Sequence, residues 1–278
     1  MRLPVVAGQF YAEDNLDEQV KECFLHQLGP GSLPVARVSG FVKGIISPHA
    51  GFMFSGPCAA FGFKEIAESV KPDVFLVLGL SHSGLPTCFS ADDWRTPLGV
   101  VKNDKDFVNF LSEKTGVPIN ERAHATEHSI EVQLPFLQFC VKKPIFAPLM
   151  VSHDLNPHEL ASSLKKAIAD SKERVCIIAS SDFTHYGINY GFIPFASNKK
   201  ENLYKLDKGA IECILQLKSG KFLDYVDNTR ATICGSLPIA VLLDLVQAEK
   251  AELLQYYTSG DINNDYSSAV GYASISFR

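Results

Sequence analysis

Runs of lysine and arginine are missing from this sequence. With a formal net charge of -5 over 278 residues, it offers no electrostatic footprint for nucleic acid. No uninterrupted apolar stretch approaches the roughly 18 residues that a membrane-spanning helix needs. The opening "MRLPVVAGQFYAEDNLDEQV" lacks the basic start, apolar centre and small-residue cleavage site of a secretory signal. Internal repeats and low-complexity tracts are absent. So are closely spaced cysteine pairs: the seven cysteines are odd in number and none stands in a C-x-x-C motif. Most lie in apolar surroundings such as "RVCIIAS", "LQFCVKK" and "AIECILQ", where a free thiol acts as a small core hydrophobe. A reducing, cytoplasmic setting is expected.

What is present suits a globular α/β chain. Hydrophobic residues make up 46% and charged residues 21%, enough to bury a substantial core. Apolar runs at Val42–Ser47, Asp73–Gly79, Ile145–Val151 and Arg174–Ser180 read as buried strands. Helical spacing is found over Leu16–Leu28, Ser55–Val70, Lys105–Thr115, Glu127–Cys140, Pro157–Ser171, Lys200–Lys218 and Leu237–Lys250. Asn156 followed by Pro157 is a helix-start signal, and Pro135 is expected to kink the helix that contains it. The Gly/Pro-rich stretch Leu28–Gly40 reads as a linker from the first helix to the first strand. At the C-terminus two β-rich runs flank the turn-rich "INNDY", which implies a hairpin and a mixed sheet. The expected architecture is one domain over residues 1–278, a mixed central β-sheet with helices on both sides.

In such folds ligands collect at the carboxyl ends of strands, and polar signatures fall there. His49 follows the first strand in "SPHAGF", boxed in by proline and glycine. His82 follows "VFLVLGLSHSG", and Asp182 and His185 follow "VCIIASSDFTHYG". Cys234, in "TRATICGSLP", stands just before a helix, where a thiol pKa can be lowered. Each has a plainer reading: a histidine bonded in its own loop, a buried thiol, an aspartate capping a turn. Three histidines at strand ends make coincidence harder, so the group is expected to share one cleft.

His124-Ala-Thr-Glu127-His128 spells the H-x-x-E-H order of inverted zinc peptidases. Two histidines four apart on a helix would share a face and could hold zinc. Because His124 lies where the helix is only starting, Glu127 and His128 are instead expected as supporting partners facing the cleft. His26, His153 and His158 read as solvated or capping residues. The single Trp94 is either a pocket wall or a half-buried anchor.

Taken together, "SPHAGF", "GLSHS", "RTPLG", "EHSIEVQLPF", "SSDFTHYG" and "TICGSLPIAVLL", with the opening "PVVAGQFY", resemble the Memo family across nearly the whole chain. That family is similar in fold to class III extradiol dioxygenases, which open catechol rings with non-haem Fe(II). The resemblance implies metal ligands at His49, His82 and Cys234, with His185 matching the dioxygenases' general base and Asp182 beside it. It also implies a transition metal, with Fe(II) foremost and copper or zinc as alternatives. In prokaryotes the family is associated with an AMMECR-type protein and a radical S-adenosylmethionine protein. Its animal members are linked to cell motility, phosphotyrosine segments and metal-dependent redox activity.

The dioxygenases use two histidines and a carboxylate, whereas a softer, oxidisable thiolate stands here, which puts ring cleavage in doubt. Three readings follow: a metal-dependent oxidoreductase, a non-catalytic binding protein taking a peptide or metabolite in the same pocket, and a zinc hydrolase with a metal-bound water.

Overall fold

The computed structural model describes residues 1–36 and 40–278. Residues 37–39 of the expected linker lie outside the described residues, and the remainder of it forms no helix or strand. The strands are β1 (Gly44–Ser47), β2 (Val74–Leu80), β3 (Cys88–Phe89), β4 (Trp94–Thr96), β5 (Gly99–Asn103), β6 (Ile145–Val151), β7 (Val175–Ser180), β8 (His185–Gly187), β9 (Ala251–Thr258) and β10 (Ser268–Phe277). They form one sheet in the order β4-β5-β6-β2-β7-β1-β10-β8, with β3 on β6 and β9 on β10. The strands β6, β2, β7 and β1 at its centre are parallel. Strand β10 runs antiparallel to β1 and pairs with β9 as the C-terminal hairpin. The sheet is therefore mixed, as expected.

Central parallel strands are buried on both faces, which is why they read as continuous apolar runs. Along β2, Val74, Leu76 and Leu78 join one core while Phe75 and Val77 join the other. The first core is covered by helices α3 (Lys105–Thr115), α6 (Pro157–Ser171), α7 (Lys199–Leu215), α8 (Ser219–Thr229) and α9 (Ser236–Leu245). The second is covered by α1 (Leu16–Leu25), α2 (Phe52–Ala67) and the short α5 (Leu134–Cys140), where Phe24, Phe52, Phe63 and Phe136 pack together. Helices thus lie on both sides. Among the described residues no helix is long and apolar enough to cross a membrane.

Several elements differ from expectation. The helix expected over Glu127–Cys140 is a turn, then a 3₁₀ segment (Glu131–Gln133), then α5. Pro135 falls in the first turn of α5 and kinks nothing. Helix α8 follows a break at Leu217, whose φ is 56°, where a single long helix was read to Lys218. The short strands β3, β4 and β5 were not anticipated. The hairpin connection holds a short helix, α10 (Ser259–Asn263), with Thr258 and Asp261 bonding reciprocally as its capping box.

Candidate metal centre

Strands β1 and β7 end level, with Ser47 paired to Ser180. This brings the His49 ring to Ser180. The Ser180 hydroxyl donates to the Ser129 carbonyl at 2.6 Å, so its lone pairs accept from Gln133 Nε2 and from His49 Nδ1, each at 2.9 Å. One hydroxyl has a single proton to give, which fixes His49 with its proton on Nδ1 and a bare lone pair on Nε2. Nε2 faces the Cys234 Sγ at 3.2 Å. Burial holds the His49 ring well below the usual imidazole range, and the nearby His128 and His82 rings add to this.

His82 is fixed in the same sense by a different partner. Its Nδ1 lies 2.9 Å from Glu127 Oε1, and an ionised carboxylate only accepts, so the ring donates from Nδ1 and leaves Nε2 free. The same carboxylate accepts the backbone N–H groups of His82, His128 and Ser129 at 2.8–2.9 Å. Burial alone would raise the Glu127 carboxyl. The His82 hydrogen bond, with the backbone N–H groups of Ser129 and His82, holds it well below the usual carboxylate range instead. The His128 ring stacks on His82, with centroids 4.4 Å apart, and meets the Phe10 ring at 4.8 Å.

Cys234 reaches the strand ends through an antiparallel bridge between Ile233 and Thr184. Its Sγ accepts the Asp182 N–H at 3.2 Å. The turn that follows is close-packed: a Cβ on Gly235 would sit 2.4 Å from Ser181 Cβ and 2.6 Å from the Ser180 carbonyl oxygen. The lowering that a helix start permits is not found at Cys234. Burial, and then the Asp182 charge, push the Cys234 thiol up, and the N–H donors around it do not offset them. The donor atoms of His49, His82 and Cys234 all lie within 4.8 Å of one another.

His49 and His82 line a cleft of about 420 Å³ together with His128, Asp182 and His185, walled by Phe10, Phe54, Tyr190 and Tyr272; Cys234, expected in the same lining, is not part of it and meets the group through His49 Nε2. His185 has Nδ1 between the carbonyl oxygens of Phe183 (3.0 Å) and Thr232 (3.2 Å). Nδ1 therefore carries the proton, and Nε2 is left as an acceptor on a ring that lines the cleft. Asp182, although it stands beside His185 in the sequence, makes no hydrogen bond to this ring among those of the described residues. Its Oδ1 accepts the backbone N–H groups of His49 and Ala50 at 2.8 and 3.3 Å and so pins the turn that presents His49. Burial raises the Asp182 carboxyl, against the pull of His185 and those two N–H groups. A larger hollow of about 640 Å³ lies between α7 and Tyr225 of α8 and shares no lining residue with this cleft.

The helix that a peptidase reading would need is not there. His124 ends the four-residue helix α4 (Glu121–His124), while Glu127 and His128 lie in the turn beyond it. His124 is fully buried, donating from Nε2 to the Cys88 carbonyl at 3.1 Å, and its ring packs edge-on against Trp94. It belongs to neither cluster of possible ligands found among the described residues, whereas Glu127 and His128 do group with His82. Trp94 is neither pocket wall nor half-buried anchor: it is fully buried beneath the Arg2 guanidinium. His158 pairs with Asp244 at 2.6 Å, His26 accepts from the Leu28 N–H, and His153 is exposed. Sequence reasoning missed Ser180, Gln133 and Ser129 as the support of His49, and Phe10 and Tyr190 as cleft walls. The only signal for Ser180 is its place at the strand end beside Asp182.

The family model described as Memo-like protein matches residues 2–276. The chain is 40% identical to a "MEMO1 family protein" of Methanopyrus kandleri, covering 100% of this chain and 99% of that one. It is 38% identical to one of Methanocaldococcus jannaschii over 99% and 98% of the two chains, and 38% identical to one of Nitrosopumilus maritimus over 100% and 99%.

Proposed function

Because this chain belongs to the Memo family, we propose that its cleft is a metal-dependent oxidoreductase site, with His49, His82 and Cys234 as ligands and His185 as the proton carrier. The observation that carries this reading is the convergence of three donor atoms within 4.8 Å, with both imidazoles already committed at Nδ1 to Ser180 and Glu127. That commitment leaves each Nε2 as a bare lone pair, the form a metal ligand needs. Two imidazoles and a thiolate suit Fe(II), copper or zinc and disfavour magnesium and calcium. Fe(II) is the proposed resident ion, on the strength of the fold shared with the extradiol dioxygenases.

When bound, such an ion supplies Lewis-acid or redox chemistry to a molecule in the cleft. The protein's own part is positional and protolytic. The cleft, at about 420 Å³, is of a size to take a small organic molecule. His185, its ring fixed by two carbonyls, accepts a proton at Nε2 from a group bound there. Asp182 holds the His49 turn in place. The aromatic walls also support a second reading, in which the cleft only binds a metabolite or peptide and the metal is structural.

Anaerobic titration with Fe(II), Cu(I) and Zn(II) tests the ligand assignment. Cys234→Ser should weaken binding by about a hundredfold or more, on the order of 3 kcal/mol, since a neutral hydroxyl replaces a thiolate. His185→Ala should bind within a small factor of the parent protein. Affinity should fall on acidification, because protons compete at Sγ and both Nε2 atoms. Equal losses in the two variants would make His185 a ligand and leave the proton-carrier role without support.

A further inference from the structure

The turn that carries Glu127 is held by a side chain from the far end of the sequence. Arg2 lies along the sheet edge, its N–H donating to the Asp93 carbonyl and its carbonyl accepting the Arg95 N–H, each at 2.8 Å. From there its guanidinium crosses the Trp94 ring at 4.1 Å and reaches three points of one segment. Nε donates to the His124 carbonyl at 2.8 Å, Nη2 to the Glu127 carbonyl at 2.6 Å, and Nη1 to the Glu131 carboxylate at 2.6 Å. Arg2 is 7% exposed and Glu131 not at all. Glu131 further accepts the Val5 and Val6 N–H groups and the Tyr11 hydroxyl. Within the segment the Glu127 N–H meets the His124 carbonyl at 3.4 Å and the Glu127 carboxylate accepts the His128 and Ser129 N–H groups, while Arg2 is the side chain that joins its two ends.

We propose that Arg2 is a positioning residue for His82: by fixing the backbone of Glu127 at both ends of its turn, it places the carboxylate that sets the His82 tautomer and ring orientation. The fork geometry is essential to this. A planar guanidinium can serve three acceptors lying in different directions, whereas a lysine ammonium is a point charge on a flexible stem. With Arg2 withdrawn, the Glu127 carbonyl loses its donor, the turn relaxes, and the His82 Nδ1–H has no fixed carboxylate to meet. The His49 limb has a hold of its own in Asp182, which pins its backbone from the end of β7, although the Ser180 hydroxyl that meets its ring donates to the Ser129 carbonyl of the same turn. The consequence for metal binding rests on the reading above. The consequence for His82 does not.

The test is nitrogen NMR of the imidazoles in metal-free protein, near pH 8, in the parent chain and in Arg2→Lys. The parent should show His82 protonated at Nδ1 only. The folded Arg2→Lys protein should show a mixture of both His82 tautomers, and its metal affinity should drop about tenfold to a hundredfold. A purely structural ion pair would lower the unfolding temperature and leave His82 unmoved; a folded Arg2→Lys protein with His82 wholly in the Nδ1–H form overturns the proposal. If Arg2→Lys does not fold, Arg2→Gln, which has no fork to span the His124 and Glu127 carbonyls, gives the same readout with the same two outcomes. A parent protein that binds no metal would sink the metal reading and leave the tautomer result to decide the role of Arg2.

Discussion

His124 and Glu127 stand three residues apart and respond to burial in opposite ways. Burial, aided by the Arg2 charge, outweighs the Cys88 carbonyl acceptor at His124 and pushes its pKa down to about 4. Glu127 is surrounded by donors and keeps its charge. The pH dependence of stability follows from the first of these. The folded-state pKa of His124 is lowered from 6.5 to about 4, and His49 and His128 shift the same way, with burial as the leading cause. Below pH 6.5 the unfolded chain therefore binds more protons than the folded one. Stability is full above that pH and is lost as pH falls, with His124 alone contributing on the order of 3 kcal/mol. Urea unfolding from pH 7 to pH 4.5 should show this loss, and His124→Gln should flatten it while leaving metal affinity unchanged. A large loss of metal affinity in His124→Gln would instead make His124 a ligand and restore the peptidase reading. At this scale, the residues legible in the sequence were those at strand ends, His49, His82, Asp182 and His185. Arg2, Gln133 and Ser180 were not, because their partners are remote in sequence and their identities are ordinary where they stand.

Among the elements, strands read well and the turn at 125–130 did not. Apolar residues at Ile130, Leu134 and Leu137 keep a helical rhythm, and all three are buried. The rhythm is real only from Leu134 onward. Before it, the Glu127 carboxylate takes up the backbone N–H groups of His128 and Ser129, which leaves a compact turn in place of a helical one. The sequence has no means of showing that His82 lies opposite to complete that arrangement. Strand β2 accommodates the turn by having no side chain at Gly79: a Cβ there would lie 2.5 Å from Ile130 Cγ1 and 2.6 Å from Ser129 Oγ. The Ser129 hydroxyl oxygen in turn accepts the Leu80 N–H at 3.1 Å. Gly79→Ala should therefore cost about 1–3 kcal/mol by overpacking and weaken metal binding as the turn moves off the strand. Denaturant unfolding reads the first effect, and a variant with parental stability would show that the turn yields freely.

Over the whole molecule, the fold class was legible because four apolar runs separated by helical segments leave few alternatives to a covered parallel sheet. Strand order was not legible, nor was the β4–β5 edge on which the N-terminal residues dock, since strands of three and five residues carry too short a pattern. What the topology does for chemistry is to end β1, β2 and β7 together, so that residues 185 positions apart, His49 and Cys234, come within 3.2 Å. Whether that meeting point holds a metal through sulfur is the question on which the rest depends. X-ray absorption of protein loaded without oxygen with one equivalent of zinc or Fe(II) answers it most directly. One sulfur at about 2.3 Å and imidazole nitrogens at about 2.0–2.1 Å are expected around zinc, with the sulfur signal lost in Cys234→Ser. A shell of nitrogen and oxygen alone, unchanged by that substitution, would contradict the assignment of Cys234 and with it the metal centre described here.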